Sequence, residues 1–287
     1  MPILTSINAL EDIPTFNIVK EEVFDSRGDR IPSTFSLMRE DSRSHLGICK
    51  ADYRPIQIDE MLDVVKTACD TIGGITHDGY TLLKDGQRVM IRSIMPEVEG
   101  LSNDKMVGHF YTIIDNTGKS ANKTIPSSLR LVCDNQMSLL YAEARRNNND
   151  SKSRRDTNGQ NIRHSFTFDQ KVHAFANNIA NNMNMLANFA STAERLRNAS
   201  FDTDKMLQLT QRLIPSEKNE TPQLIRKRET IVDLFTNGTG NEGKSRWDAL
   251  NAFTEFESKQ KFTAAKLLRN LTSNNLSNRA LAILNSN

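Results

Sequence analysis

The dipeptide Asp85-Gly86 narrows what this chain can fold into more than any other pair of residues. It lies between two runs of alternating character, Ile75 to Leu83 and Arg88 to Met95. Asp-Gly tolerates the positive φ angles of tight turns whose twist matches that of the flanking strands, so Lys84-Asp85-Gly86-Gln87 predicts a β-hairpin. In its second arm Val89, Ile91 and Met95 share one face, Arg88, Met90, Arg92 and Ile94 share the other, and Pro96 closes the run. Lys105 to Asp115 reads as a third strand, Asn116-Thr117-Gly118 as a turn, and Ser120 to Cys133, interrupted at Pro126, as a fourth strand. Consecutive strands joined by short turns predict an antiparallel meander.

Helical periodicity flanks this meander. From Asp59 to Thr71, residues Met61, Leu62, Val65, Ala68 and Cys69 fall on one face, and Gly73-Gly74 stops the run. A second helix is expected from Asn135, capped by Asp134 or Asn135, with Met137, Leu140, Tyr141 and Ala144 on one stripe and Arg145-Arg146 at its C-terminus. The two helices would cover one face of the sheet, giving an α+β fold. Ahead of them, residues 1–50 read as an arm with short strands near 15–24, 34–38 and 45–49. Within it Arg27-Gly28-Asp29 belongs to a turn and not to an adhesion motif. Tyr53-Arg54-Pro55-Ile56 is extended, because proline disfavours a helical residue before it. Asn147 to Gln160 contains no apolar residue and reads as a basic polar loop. Beyond it helices dominate: Asp169 to Asn198, one capped by Asp202 or Thr203 and ending at Ile214-Pro215, and one from Thr221-Pro222 to Phe235. After a glycine-rich break at 237–243, further helices run from Ser245 to Lys261 and on to Leu284. The expected organisation is an arm over 1–50, an α+β core over 51–165 and an all-α region over 166–287.

Composition excludes some classes. Thirty-seven basic and 35 acidic residues leave a net charge of +2, which is too little for a wholly cationic binder but permits a local basic patch. Three cysteines without a Cys-x-x-Cys pair suit reduced thiols, no signal segment is visible, and no apolar run nears the roughly 20 residues of a membrane span. The expected setting is the cytoplasm of a bacterial host, with no membrane partner.

Catalytic patterns are weak. His45, His77, His109, His164 and His173 are scattered and do not suggest a metal site. Asp248 with Glu257 and Lys259 mimics the acidic pattern of metal-dependent nucleases, but that pattern needs a strand and this stretch has helical spacing. Gly238, Gly240 and Gly243 lack the preceding strand of a phosphate-binding loop, and there is no Gly-x-Ser-x-Gly turn. No catalytic residue, metal or cofactor is assigned, and an ordinary enzyme is not supported. The remaining signal is cationic. Lys84, Arg88, Arg92, Arg130, Arg145, Arg146, Lys152, Arg154, Arg155 and Arg163 are candidates for tracking a phosphate backbone, with Asn135, Gln136 and His164 as polar partners. Asn135 and Gln136 would serve from a helix N-terminus.

Four stretches carry a resemblance. They are Tyr53-Arg54-Pro55-Ile56-Gln57, then Leu83 through Val89, then Arg130-Leu131-Val132-Cys133-Asp134-Asn135 with Ile162-Arg163-His164-Ser165, and finally Arg246 through Phe256 with its Trp247-Asp248. In order and as a set they resemble a phage/plasmid-like protein family known only as a domain of unknown function. Asp248 stands where that pattern usually has glycine, and Phe256 where it usually has tyrosine. The resemblance implies a mobile-element protein and attaches no reaction to it. At the level of topology the helix–meander–helix order is also similar to single-strand annealing proteins. The expected function is a non-enzymatic, phage- or plasmid-encoded DNA-binding protein, single strands favoured, of the annealing or recombination-mediator kind and self-associating through its back helices. The alternative is a protein-interaction factor that modulates a host enzyme.

Overall fold

The computed structural model describes residues 4–96, 106–130, 135–138, 161–216, 220–259 and 275–286. It is an α+β protein in which antiparallel strands precede a helical C-terminal part. Strands β1 (Ile18–Phe24), β2 (Arg30–Arg39) and β3 (His45–Lys50) form a three-stranded antiparallel sheet in that order. Its first turn is organised by Asp25, whose carboxylate accepts the amides of Arg27 at 2.8 Å and Asp29 at 2.9 Å. The Arg-Gly-Asp triplet is therefore a turn. The chain then runs through Pro55 into helix α1 (Ile58–Ile72), amphipathic as its spacing predicts, with Met61, Val64, Val65 and Ala68 fully buried.

The second sheet follows the order β4 (Thr76–Leu83), β5 (Arg88–Ile94), β6 (Met106–Asp115), β7 (Asn122–Arg130) and β8 (Asn135–Ser138), and β9 (Asn161–Ile162) also pairs with β7. At the first hairpin Lys84, Asp85 and Gly86 take φ of 48°, 55° and 98°, the conformation that Asp-Gly tolerates. Two expectations are corrected. Residues 135–138 start no helix: they form β8, antiparallel to β7 with Leu129 opposite Gln136 and Arg130 opposite Asn135. Ladder hydrogen bonds to β7 satisfy backbone groups that local helical periodicity would leave unpaired along its edge. Nor do helices cover a single face of the sheet. Val89, Met90 and Ile91 on β5, and Phe110 and Tyr111 on β6, are each fully buried, so both faces of these strands are covered. Three consecutive apolar residues mark a strand enclosed on both sides, and period-2 reading understates that. Contacts onto the sheet come from the N-terminal segment, where Leu4 lies against Gly79 and Phe16 against Gly86. They come also from helix α2 (Phe168–Asn198), where Phe175 meets Phe110 edge to face at 6.1 Å.

Among the described residues the further helices are α3 (Thr203–Leu213), α4 (Pro222–Asn237), α5 (Arg246–Ser258) and α6 (Leu276–Leu284), and each starts at a side-chain cap. Asp202, Thr221, Ser245 and Asn275 accept the amides of Lys205, Leu224, Asp248 and Asn278 respectively. Compactness divides the chain into two units, neither contiguous in sequence. One gathers Met1–Pro96, His109–Ile125 and Asp150–Asn182; the other gathers Glu97–Gly108, Pro126–Asn149 and Met183–Asn287. In the second unit Phe189 packs on Trp247 and Phe201 on Phe235, each at 6.1 Å between ring centres. Among the described residues no helix is long and apolar enough to cross a membrane.

Strand β3 lies against the turn between β6 and β7 so tightly that a Cβ on Gly47 would sit 2.1 Å from the Thr117 carbonyl oxygen. A Cβ on Gly118, at φ 73°, would meet the Leu37 side chain at 3.1 Å, the Ile48 carbonyl at 3.2 Å and the Cys49 side chain at 3.4 Å. Because the obstacle at Gly47 is backbone, no rotamer change relieves it. Gly47→Ala is expected to lower stability by about 1–3 kcal/mol, read as a lower urea midpoint at unchanged slope. An unchanged midpoint would show the approach to be looser than described.

Candidate nucleic-acid interface

Among the described residues the sequence-selected cations differ in their surroundings. Lys84 is exposed at the hairpin tip. Arg88 is tied through Nε to Asp115 at 2.8 Å, and Arg92 makes a two-pronged pair with Asp78 at 2.8 and 2.7 Å. Both arginines sit on β5, where an acid answers each of them. Arg130, Asn135 and Gln136 lie on β7 and β8, so the two polar residues do not stand at a helix N-terminus. Arg145, Arg146, Lys152, Arg154 and Arg155 lie outside the described residues. Arg163 is exposed beside β9. His164 is half-buried and bonded through both ring nitrogens: Nδ1 lies 2.9 Å from the Tyr53 hydroxyl and Nε2 lies 3.2 Å from the Ser120 carbonyl.

Those two bonds define a tautomer. A carbonyl only accepts, so Nε2 carries the proton, and Nδ1 accepts from the Tyr53 hydroxyl. Burial, the larger influence, lowers the His164 pKa against the Ser120 carbonyl, which favours the charged ring. Burial likewise raises the Tyr53 pKa. At neutral pH this is an uncharged pair with its rings 5.0 Å apart.

The Ser120 end of the pair is held by a buried carboxylate. Asp115, 1% exposed, accepts from the Thr117 amide and hydroxyl, from the Ser120 hydroxyl at 2.7 Å and from Arg88. Burial alone would raise its pKa; the bonds from Thr117, Arg88 and Ser120 outweigh burial and hold it below the usual carboxylate value. The Tyr53 end is held by Lys20. Its ammonium donates to the carbonyls of Lys50, Ala51 and Tyr53, at 3.3, 2.7 and 3.0 Å, and lies 4.6 Å from the centre of the Phe35 ring. Three donors meeting three carbonyls hold the 50–53 turn in one conformation.

Between these anchors opens a groove of about 630 Å³, lined by Thr34, Ile48, Cys49, Lys50, Asp52, Tyr53, Arg54, Gly118, His164 and Ser165. Lys50 and Arg54 are exposed on its wall against Asp52, and exposed Lys119 and Arg163 adjoin Gly118 and His164 in sequence. Burial raises the Cys49 pKa, so this thiol is not primed as a nucleophile. Sequence reasoning selected only His164 and Arg163 here. Tyr53, Arg54 and Ser165 stood in motifs but not among the candidates, and Lys50 and Ile48 carried no local signal of sharing a groove.

The acidic pattern considered for a nuclease is occupied by helix capping. Asp248 accepts the amides of Lys244 and Ser245, each at 3.1 Å, and Glu257 accepts the amides of Leu276 and Ser277 at the start of α6. The Gly238–Gly243 loop is closed by Glu255, which accepts the Thr239 amide at 3.1 Å. Among the described residues no three His, Cys, Asp or Glu side chains gather as metal ligands.

A histidine whose folded pKa is depressed contributes stability that is fully present above its ordinary value of 6.5 and is lost as pH falls below it. The Tm is therefore expected to fall between pH 7.5 and 5. His77, which burial also shifts downward, acts in the same direction. His164→Gln should have a lower Tm at pH 7.5 and a shallower decline, the residual slope being that of His77. A variant with the full wild-type slope would remove His164 from this account.

No curated protein and no solved structure matches the chain. A family model does, over residues 45–282, which takes in α1 to α5, the second sheet, the groove-lining turn at 50–54 and most of α6. The chain belongs to the family described as Domain of unknown function (DUF932).

Proposed function

We propose that this protein binds nucleic acid without catalysis, single-stranded DNA in the first instance, and that the 630 Å³ groove beside Tyr53 and His164 is where the strand lies. The carrying observation is that exposed Lys50 and Arg54 line that groove, with Asp52 the one acid in its lining, and that exposed Lys119 follows the lining residue Gly118 in sequence. A phosphodiester chain is a polyanion, and cations at an open groove release its condensed counterions on binding. The Ser165 hydroxyl among the lining residues adds a neutral donor able to meet a phosphate oxygen. The interface in this reading is not the hairpin arm, because Arg88 and Arg92 are already paired with Asp115 and Asp78. The mobile-element setting and the annealing or recombination-mediator role, with self-association, belong to the same reading and follow from the resemblance of motifs and topology.

With three or four phosphates contacted, single-strand binding should weaken roughly twenty- to fifty-fold from 50 to 200 mM salt. The measurement is fluorescence anisotropy of a labelled thirty-residue oligo(dT). Lys50→Glu with Arg54→Glu should weaken binding and flatten the logarithmic salt slope by about 1.4. No anisotropy change at 25 mM salt sinks the reading. Joined to a stoichiometric, nuclease-insensitive protein partner captured by the intact chain, that result would favour the interaction-factor alternative.

A further inference from the structure

We infer that the groove seats one unstacked nucleobase of the bound strand, with its flanking phosphates on Lys50 and Arg54. This rests on the single-strand reading above and adds to it a ligand geometry. Two lone phosphates on two surface cations need no cavity, yet the groove encloses about 630 Å³, within the roughly 300–1,000 Å³ of small-molecule sites. Its lining is also wrong for phosphate alone. Ile48 is 51% exposed, and together with the Tyr53 ring it offers the groove apolar surface that an anion gains nothing by covering. A flat, uncharged, aromatic base does gain by covering it.

The polar lining says how such a base would be read. His164 has both ring nitrogens committed to Tyr53 and Ser120, so it presents a ring and not a hydrogen-bonding edge. What remains for base edges is chiefly the Ser165 hydroxyl, since that of Thr34 donates to the Pro32 carbonyl at 3.3 Å and is left only to accept. A hydroxyl donates or accepts as its rotor turns, so it meets any of the four bases. The groove therefore takes a base with little regard to identity, as a single-strand binder without a fixed target needs. The cationic and apolar lining residues also divide the labour: Lys50 and Arg54 set the salt dependence, and Ile48 and Tyr53 set the contribution that salt leaves unchanged.

Two strands of equal length distinguish base from backbone: oligo(dT) and the same polymer without bases. The base-bearing strand is expected to bind about tenfold more tightly at one salt concentration, with both strands showing similar salt slopes. A 2-aminopurine placed mid-strand should brighten at saturation as it leaves its stack. Ile48→Ser, a change at an exposed side chain, should narrow the affinity gap with the salt slope unchanged, and Ser165→Ala provides a second variant. Equal affinity for the two strands, or a gap that neither substitution narrows, overturns the base pocket and leaves backbone binding standing. Failure of both strands to bind removes the underlying reading instead.

Discussion

The arrangement in the first compact unit depends on one buried carboxylate. Asp115 sits at the end of β6, 1% exposed, and its oxygens collect hydrogen bonds from Thr117, Ser120 and Arg88. A carboxylate buried this way is tolerable only while its donors are in place, since an unpaired one would carry a desolvation cost of several kcal/mol. The donors accordingly hold the 116–120 turn in a single shape. That shape sets the Ser120 carbonyl where His164 can donate to it, and His164 in turn accepts from Tyr53. The result is a path of polar contacts from the second sheet to the 50–54 turn, joining residues more than 100 positions apart in sequence.

That path also runs through the motifs that carry the resemblance read from the sequence. Arg88 belongs to the Leu83–Val89 stretch, Tyr53 and Gln57 to the Tyr53–Gln57 stretch, and His164 to Ile162–Ser165. Gln57 clamps β1 by bonding both the amide and the carbonyl of Ile18. These residues secure one another, which is a sufficient physical reason for their types. The Trp247 stretch does comparable work in the other unit: Trp247 packs on Phe189, and Arg197 lies 5.5 Å from the centre of its ring. Asp248, which departs from the glycine of the usual pattern, completes a capping box with Ser245 and so strengthens the start of α5. The signature residues are thus mostly structural. The surface that remains for a ligand is made by Lys50, beside these motifs, and by Arg54 and Ser165 within them.

Charge in this protein shows why a cation's place in the chain does not reveal its task. Arg88 and Arg92 alternate onto the same side of β5, and by sequence they look like a basic stripe. Asp78 and Asp115, brought in by β4 and β6, convert both into ion pairs. Lys20, unremarkable in sequence, becomes the ammonium that holds the 50–53 carbonyls together. Both outcomes are set by strand register, which places an acid or a carbonyl within hydrogen-bonding reach of a cation many residues distant.

Local physical chemistry made much of the fold legible. Asp85-Gly86 announced the hairpin, period-2 runs announced β4 to β7, and capping residues at Asp202, Thr221 and Ser245 announced three helix starts. Each of these signals acts over a few residues and needs no distant partner. What the sequence alone could not settle depends on partners far along the chain. The helix start read at Asn135 yielded over residues 135–138 to a ladder with β7, and the single covered face yielded to burial on both. The groove is legible from no segment by itself, since its walls come from β2, β3, the 50–54 turn, Gly118 and the His164 loop. Only the tertiary structure could bring these together, because the approach of Gly47 to Thr117 and the bonds around Asp115 are satisfied simultaneously only in the folded chain.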